Sequence, residues 1–166
     1  TNHQTAEMIK YANNSFLATK ISFINQLASI CQEIPDTNID DIAQVIGLDP
    51  RIGNLFLDAG PGYGGSCLPK DMKAIINLSS KIGAQPILFN AVEKTNKQQI
   101  SNIMELIKHN IGKIKGKKIT ILGVAFKPNT DDIRDSTSIE LIRRLIKSRA
   151  IVTIHDPKAL DNARKI

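Results

Sequence analysis

Cysteine, tryptophan and long apolar runs are scarce or missing in this chain of 166 residues. Its two cysteines are too few for the disulfide framework that stabilises many small secreted domains. No apolar stretch approaches the roughly 20 residues that a membrane helix needs, and no secretory signal pattern is present. The sequence therefore predicts a soluble, globular and cytoplasmic protein of one or two domains.

Aromatic residues are also scarce, at 4% of the chain, whereas the formal net charge is +6 and the pI is near 9.4. Such a basic balance favours an anionic partner, either nucleic acid or a phosphorylated small molecule. With so few aromatic side chains there is little surface on which bases could stack. A non-catalytic module that dimerises through its helices and binds nucleic acid stays open as an alternative, although we expect no nucleic-acid partner.

Helical periodicity dominates the first two thirds of the chain. Residues 5–34 form one long pattern without proline or glycine, and Asn38 or Asp40 can cap a short helix that ends at Gly47. Pro69 begins a third helix, which continues to about Ile82. The fourth predicted helix spans residues 87–111.

A strand, helix and strand follow, over residues 118–126, 138–149 and 151–155. This order is the parallel unit of a doubly wound α/β domain. Two strands cannot complete such a sheet, so we expect the sequence to be a piece of a longer protein. We predict domains over residues 1–111 and 112–166.

The loop before the third helix holds the candidate chemistry. Seven of the twenty residues from Leu48 to Cys67 are glycine or proline, so backbone can approach a ligand closely. Cys67 lies just before the predicted helix start and three residues before Lys70. The unpaired amides of a helix start and a nearby ammonium group favour a thiolate, and the amides can also stabilise an oxyanion. Asp71 lies one turn further on and can move a proton.

Four segments carry a resemblance to a known family. The segment from Phe56 to Asp71, with Gly-Gly-Ser-Cys-Leu-Pro-Lys-Asp at its end, looks like the active-site signature of the UDP-glucose 6-dehydrogenases in the UDP-glucose/GDP-mannose dehydrogenase family. Residues 7–17 resemble the start of that family's central helix, and residues 49–53 its substrate-contacting turn. Residues 123–136 resemble the opening of its third domain.

The resemblance implies a fold and a reaction. The fold is an α-helical central dimerisation domain, like the C-terminal domain of 6-phosphogluconate dehydrogenase, followed by the start of a Rossmann-like UDP-binding domain. The reaction oxidises C6 of UDP-glucose to UDP-glucuronate, for polysaccharide biosynthesis, with two NAD per turnover. Because the family binds NAD mainly in an amino-terminal domain, we expect these residues alone to be inactive. No metal and no membrane contact is implied.

The resemblance also implies roles for individual residues. Cys67 would form a thiohemiacetal and then a thioester, Lys10 and Asn14 would hold the oxyanion and the water, and Asp71 would assist hydrolysis. Predicted substrate-binding residues are Arg51, which would reach the substrate of the partner subunit in a homodimer, and Phe56, Leu57, Tyr63, Gly64 and Lys127. Predicted cofactor-binding residues are Lys70 and Arg134.

Two neighbouring activities differ from this prediction only in the sugar nucleotide. GDP-mannose 6-dehydrogenase shares the cysteine segment but usually differs just before it, so Pro61-Gly62-Tyr63 favours UDP-glucose. Dehydrogenases of N-acetylated UDP-hexosamines typically have Gly-Gly-His-Cys, whereas this chain has Ser66. GDP-mannose 6-dehydrogenase is kept as the alternative.

Overall fold

The computed structural model describes residues 1–166 and divides into two compact units. The helical unit comprises residues 1–62 and 70–97, and the sheet unit comprises residues 63–69 and 98–166. Six helices and two strands follow in this order: α1 (His3–Cys31), α2 (Ile39–Gly47), α3 (Leu68–Lys81), α4 (Ile87–Ile111), β1 (Lys118–Leu122), α5 (Thr137–Lys147), β2 (Ile151–His155) and α6 (Leu160–Ala163).

Side-chain caps set the ends of the first two helices. Asn2 begins α1, since its side-chain oxygen accepts a hydrogen bond from the Thr5 backbone N–H at 2.8 Å. Helix α1 ends at Cys31 rather than at the predicted residue 34, and the Thr37 hydroxyl donates to the carbonyl oxygens of Cys31 and Ile34, each at 2.8 Å. Of the two predicted caps of α2, the structure uses Asn38, which accepts from the Asp40 backbone N–H.

Aliphatic side chains from several segments form the core of the helical unit. Helix α4 has the predicted bounds, and α3 begins one residue before Pro69. The Ser22 hydroxyl of α1 donates to the Val92 carbonyl of α4 at 3.3 Å. The fully or nearly buried apolar side chains of this unit include Ala18, Ile24, Leu57, Met72, Ile75 and Val92. Complete burial of each of the larger ones stabilises the fold by about 1.5–3 kcal/mol.

In the sheet unit, β1 and β2 pair in parallel, from Lys118 opposite Ile151 to Leu122 opposite His155. The predicted parallel pairing is therefore confirmed. Strand β1 is shorter than predicted because Gly123 has a φ of 92°, outside the extended region. Two clusters form the core, one of Ile100, Met104, Ile114, Leu141 and Leu145, and one of Val124, Ile139 and Ala159. The fold class predicted from the sequence is thus confirmed.

The two compact units divide between residues 97 and 98, inside α4. The carboxyl half of α4 contributes Ile100 and Met104 to the core of the sheet unit. The boundary between residues 111 and 112 stays a prediction about the domains. None of the helices combines the length and the apolar character that crossing a membrane requires.

Candidate active site

A buried carboxylate in the helical unit is the centre of a polar cluster. The Asp71 side chain, in the first turn of α3, is 1% exposed. Its Oδ2 accepts a hydrogen bond from Asn14 Nδ2 at 2.6 Å and lies 3.4 Å from Lys10 Nζ. Lys70 Nζ lies 3.6 Å from Oδ1. Because Lys10 and Asn14 are four residues apart, they share one face of α1, and the structure brings both to Asp71.

The surroundings of Asp71 keep it ionised at neutral pH. Burial raises the pKa of this carboxyl group. The hydrogen bond from Asn14 and the charges of Lys10 and Lys70 lower the pKa by more than burial raises it, so the pKa of Asp71 is below its ordinary value. Oδ1 is buried and has no hydrogen-bond partner; the Lys70 ammonium nitrogen lies 3.6 Å from it. The cluster therefore presents an ionised carboxylate with one oxygen still able to accept a hydrogen bond.

The candidate nucleophile lies in the sheet unit. Cys67 is exposed and immediately precedes Leu68, the first residue of α3, and the first backbone N–H groups of a helix have no partner within it. Ser66 Oγ lies 3.7 Å from Cys67 Sγ. Two residues earlier, the Gly65 N–H donates to the Arg134 carbonyl at 3.1 Å. Segment 63–69 thus leaves the thiol accessible while its backbone is tied to another part of the sheet unit.

Two glycines fit this loop against the sheet unit. Gly65 has a φ of 81°, which residues other than glycine rarely adopt, and a β-carbon there would overlap the ring of Phe126. A β-carbon on Gly64 would overlap the Asp135 carbonyl oxygen. Glycine at both positions allows the backbone before Cys67 to lie directly on residues 126 and 135.

Arg134 is held by a carboxylate two residues before it. Its Nε lies 3.0 Å from Asp132 Oδ1, and its Nη2 lies 2.6 Å from Oδ2. The hydrogen bonds from Arg134 lower the pKa of Asp132 to about 2, and Asp132 raises the pKa of Arg134. The Arg134 side chain remains 70% exposed. Exposed Lys127 has its Nζ 5.4 Å from the centre of the Phe126 ring, so two exposed cations belong to the segment between β1 and α5.

Arg51 has the same arrangement with Asp49. The Nε and Nη2 atoms lie 3.0 and 2.6 Å from the carboxylate oxygens Oδ1 and Oδ2, and the side chain is 87% exposed. The hydrogen bonds from Arg51 lower the pKa of Asp49. Lys20 Nζ donates to the Ile52 and Gly53 carbonyls at 3.0 and 3.1 Å. The turn and the carboxylate together orient a guanidinium group that still has free N–H donors.

Three other predicted substrate residues have different exposures. Phe56 has a φ of 63° and is 41% exposed. The side chains of Leu57 and Tyr63 are buried, and their part in substrate binding stays a prediction. A cavity of about 440 Å³ in the helical unit is lined by Asp40, Ala43, Gln44, Asn54, Leu55, Phe56, Leu57 and Asp58.

Several contacts around these loops involve residues that the sequence analysis did not single out. Buried Asn25 accepts a hydrogen bond from the Gly60 N–H at 2.8 Å, and Asp156 accepts from the Val124 N–H at the same distance. Asp132 orients Arg134, as described above. One sequence signal exists for Asp156, since an aspartate directly before a proline at the end of a strand is typical of a turn in which the carboxylate accepts nearby backbone N–H groups. Asn25 gives no such signal, because it lies in the middle of α1.

The residues present fit a partial contribution to NAD binding. A dinucleotide site needs a glycine-rich turn that leads directly from a strand into a helix, whereas residues 123–136 separate β1 from α5 and lack the Gly-x-Gly-x-x-Gly pattern. Lys70 and Arg134 are exposed cations able to contact a phosphate. These residues account for anion contacts but not for a complete cofactor site.

Comparison with known proteins assigns the family. The profile of the central domain of the UDP-glucose/GDP-mannose dehydrogenase family matches residues 4–98, and that of the family's UDP binding domain matches residues 120–166. The chain belongs to the UDP-glucose/GDP-mannose dehydrogenase family. The resemblance of the cysteine segment and of residues 123–136 to this family is thereby confirmed.

Individual members of the UDP-glucose/GDP-mannose dehydrogenase family resemble most of the chain. UDP-glucose 6-dehydrogenase of Rickettsia felis is 48% identical over 162 residues, covering 97% of this chain and 36% of that protein. A UDP-glucose dehydrogenase structure from Pyrobaculum islandicum has a TM-score of 0.94 at 38% identity, covering 98% of this chain and 37% of that one. A GDP-mannose dehydrogenase structure from Pseudomonas aeruginosa has a TM-score of 0.61 at 30% identity, with coverages of 96% and 36%. The chain spans little more than a third of each relative.

Proposed function

We propose that this chain is the part of an NAD-dependent UDP-glucose 6-dehydrogenase that holds the nucleophile and the catalytic carboxylate. The observation that carries the proposal is the α3 start. Exposed Cys67 immediately precedes helix α3. Asp71, in the first turn of this helix, is buried and contacts Asn14 and Lys10. The similarity to UDP-glucose dehydrogenases supports UDP-glucose as the substrate and UDP-glucuronate as the product.

The proposed role of Cys67 is covalent. Its deprotonated Sγ attacks the C6 aldehyde carbon, so that an S–C bond forms and the carbonyl oxygen becomes an alkoxide. NAD, when bound, would supply the oxidant for two steps: the C6 alcohol to the aldehyde, with loss of the hydroxyl proton, and the thiohemiacetal to the thioester. Water then adds to the thioester carbon, the C–S bond breaks, and the carboxylate leaves with the Cys67 thiolate restored.

The polar cluster of the helical unit would serve the charged and hydrolytic steps. The Lys10 ammonium group and the Asn14 amide are donors that can stabilise the alkoxide. Asp71 is ionised, because its pKa is lowered, and can accept a proton from the attacking water. These three groups already contact one another through the Asp71 carboxylate, which supports a common function.

The exposed arginines and Lys127 are proposed to bind the phosphates of the ligands. Lys127 and Arg51 would contact the nucleotide sugar, the latter in the neighbouring subunit, while Arg134 and Lys70 would contact NAD. Guanidinium groups suit phosphate because their N–H donors form two parallel hydrogen bonds. Because the residues present do not form a complete NAD site, we expect residues 1–166 alone to show no turnover.

A homodimer through α1 is also proposed. Four large apolar side chains, seven residues apart, are exposed along this helix: Ile9, Phe16, Phe23 and Ile30, at 58%, 63%, 52% and 46%. This spacing places them on one side of α1, roughly opposite the buried residues Ala18 and Asn25. A second copy of the same helix would cover this stripe.

A substrate panel tests the proposed function. The full-length protein is assayed for NAD reduction with UDP-glucose, GDP-mannose and UDP-N-acetylmannosamine, alongside its Cys67→Ala variant. We expect turnover with UDP-glucose and none in the variant. Turnover of only another sugar nucleotide would contradict the proposed substrate, and an active variant would contradict the role of Cys67.

A further inference from the structure

A second buried carboxylate lies outside the proposed catalytic set. Asp156 directly follows β2 and is 7% exposed. Its Oδ2 accepts hydrogen bonds from the Val124 and Ala125 backbone N–H groups at 2.8 and 3.1 Å. Its Oδ1 accepts from the Lys158 and Ala159 N–H groups at 2.8 and 2.7 Å. One side chain thus fixes the backbone after β1 and the backbone that leads into α6.

The segment after β1 has two further attachments. The Ser136 hydroxyl donates to the Val124 carbonyl at 2.7 Å, and the Phe126 N–H donates to the Asp132 carbonyl at 3.0 Å. Hydrogen bonds from Ala159, Val124 and Lys158 hold the pKa of Asp156 far below its usual range. The ionised carboxylate therefore holds the backbone immediately before Phe126 in place through charge-assisted bonds.

Phe126 in turn supports the loop that ends at Cys67. Its ring lies where a β-carbon of Gly65 would be, and the Gly65 N–H is bonded to the Arg134 carbonyl. Both contacts are made two residues before Cys67, and all of these residues belong to the sheet unit. A displacement of residues 124–126 would therefore remove the surface on which the backbone of Gly65 lies.

We propose that Asp156, assisted by Ser136, is a positioning residue for Cys67. It fixes residues 124–126, which support Gly65 and so set where the Cys67 thiol lies. The proposal rests on the proposed function, in which Cys67 is the nucleophile, because a misplaced nucleophile lowers the rate without any change in its own chemistry. Asp156 itself touches no reacting atom.

A carboxylate suits this position better than an amide. Asparagine has one acceptor oxygen, and its NH₂ group would face two backbone N–H groups, so Asp156→Asn loses at least one of the two pairs of hydrogen bonds. The matched control is Asp161→Asn, which removes an exposed carboxylate of α6 that bonds to Arg164. Both variants make the same chemical change in neighbouring segments of the chain.

Hydrogen exchange and steady-state kinetics of the full-length protein test the inference. In Asp156→Asn we expect the peptide containing Gly65 and Cys67 to exchange about tenfold faster and kcat to fall by about tenfold or more. Peptides from α1 should exchange as in the unchanged protein, because a positioning role acts locally. Asp161→Asn should change neither quantity.

Two results would overturn the inference. One is unchanged exchange in the Cys67 loop, and the other is faster exchange with an unchanged kcat, which would make Asp156 a purely structural residue. If Asp156→Asn does not fold, Ser136→Ala decides by the same readouts, with an expected change of about threefold in each. Cys67→Ala separates the two claims, since its activity tests the nucleophile whatever Asp156 does.

Discussion

Replacing Asn14 with alanine should destabilise the helical unit by leaving the Asp71 carboxylate incompletely bonded. The substitution removes the 2.6 Å hydrogen bond to Oδ2 and leaves a 1% exposed carboxylate with lysine nitrogens at 3.4 and 3.6 Å. A hydrogen bond to a charged group contributes about 1.5–3 kcal/mol, and more is lost when the charge stays buried. We expect the free energy of unfolding to fall by about 2–3 kcal/mol.

Asp71→Asn should cost less, although it removes a charge. The side chains of Lys10 and Lys70 are 57% and 66% exposed, so water can hydrate both ammonium groups once the carboxylate is gone. Ion pairs with such exposed partners contribute about 0–1 kcal/mol each, and the new amide oxygen can still accept from Asn14. We expect a loss of about 1 kcal/mol, and a smaller effect of Asn14→Ala in the Asp71→Asn background.

The pH dependence of the Asn14→Ala effect follows from the direction of the Asp71 shift. Because the pKa in the folded protein is below 3.8, the stability contributed by the ionised group is present above about pH 4 and is lost as pH falls through the folded pKa. Urea unfolding of the full-length protein and its variants, from pH 7 to pH 3, measures this. An Asp71→Asn variant less stable than Asn14→Ala, or a difference between the unchanged protein and Asn14→Ala that does not shrink with acid, would refute the reasoning.

Three other substitutions test separate parts of the proposed function. Gly65→Ala should lower kcat by about tenfold or more in an NAD-reduction assay, because its methyl group would meet an aromatic ring. Phe23→Glu should shift the full-length protein from dimer to monomer in analytical ultracentrifugation, whereas Asn77→Glu, an exposed change on α3, should not. Asp132→Asn should raise the KM for NAD severalfold, since Arg134 loses the carboxylate that orients it.

Local signals in the sequence predicted much of the fold. Asn38 and Gly47 mark α2 because capping depends on a few neighbouring residues, and the helical periodicity from Ile87 to Ile111 matches α4. The parallel pairing of β1 with β2 followed from the intervening α5. Residues 160–163 were not predicted to be helical, since four residues show no full period.

The candidate site was only partly predictable, because several of its contacts join distant segments. The four-residue spacing placed Lys10 and Asn14 on one face, but their meeting with Asp71 depends on how α1 packs on α3. The burial of Tyr63 is likewise a result of tertiary packing, which the residues beside it in the sequence do not indicate. Asp156 acts on a segment about thirty residues earlier, and nothing near it in the sequence indicates that partner.

Counting NADH against UDP-glucose consumed tests the central claim about Cys67 most directly. With limiting UDP-glucose and excess NAD, the full-length protein should form two NADH and one UDP-glucuronate per sugar nucleotide. Cys67→Ala should form no UDP-glucuronate, because without the thiol neither the thiohemiacetal nor the thioester can form. Two NADH per UDP-glucose from the Cys67→Ala variant, with UDP-glucuronate as product, would contradict the account.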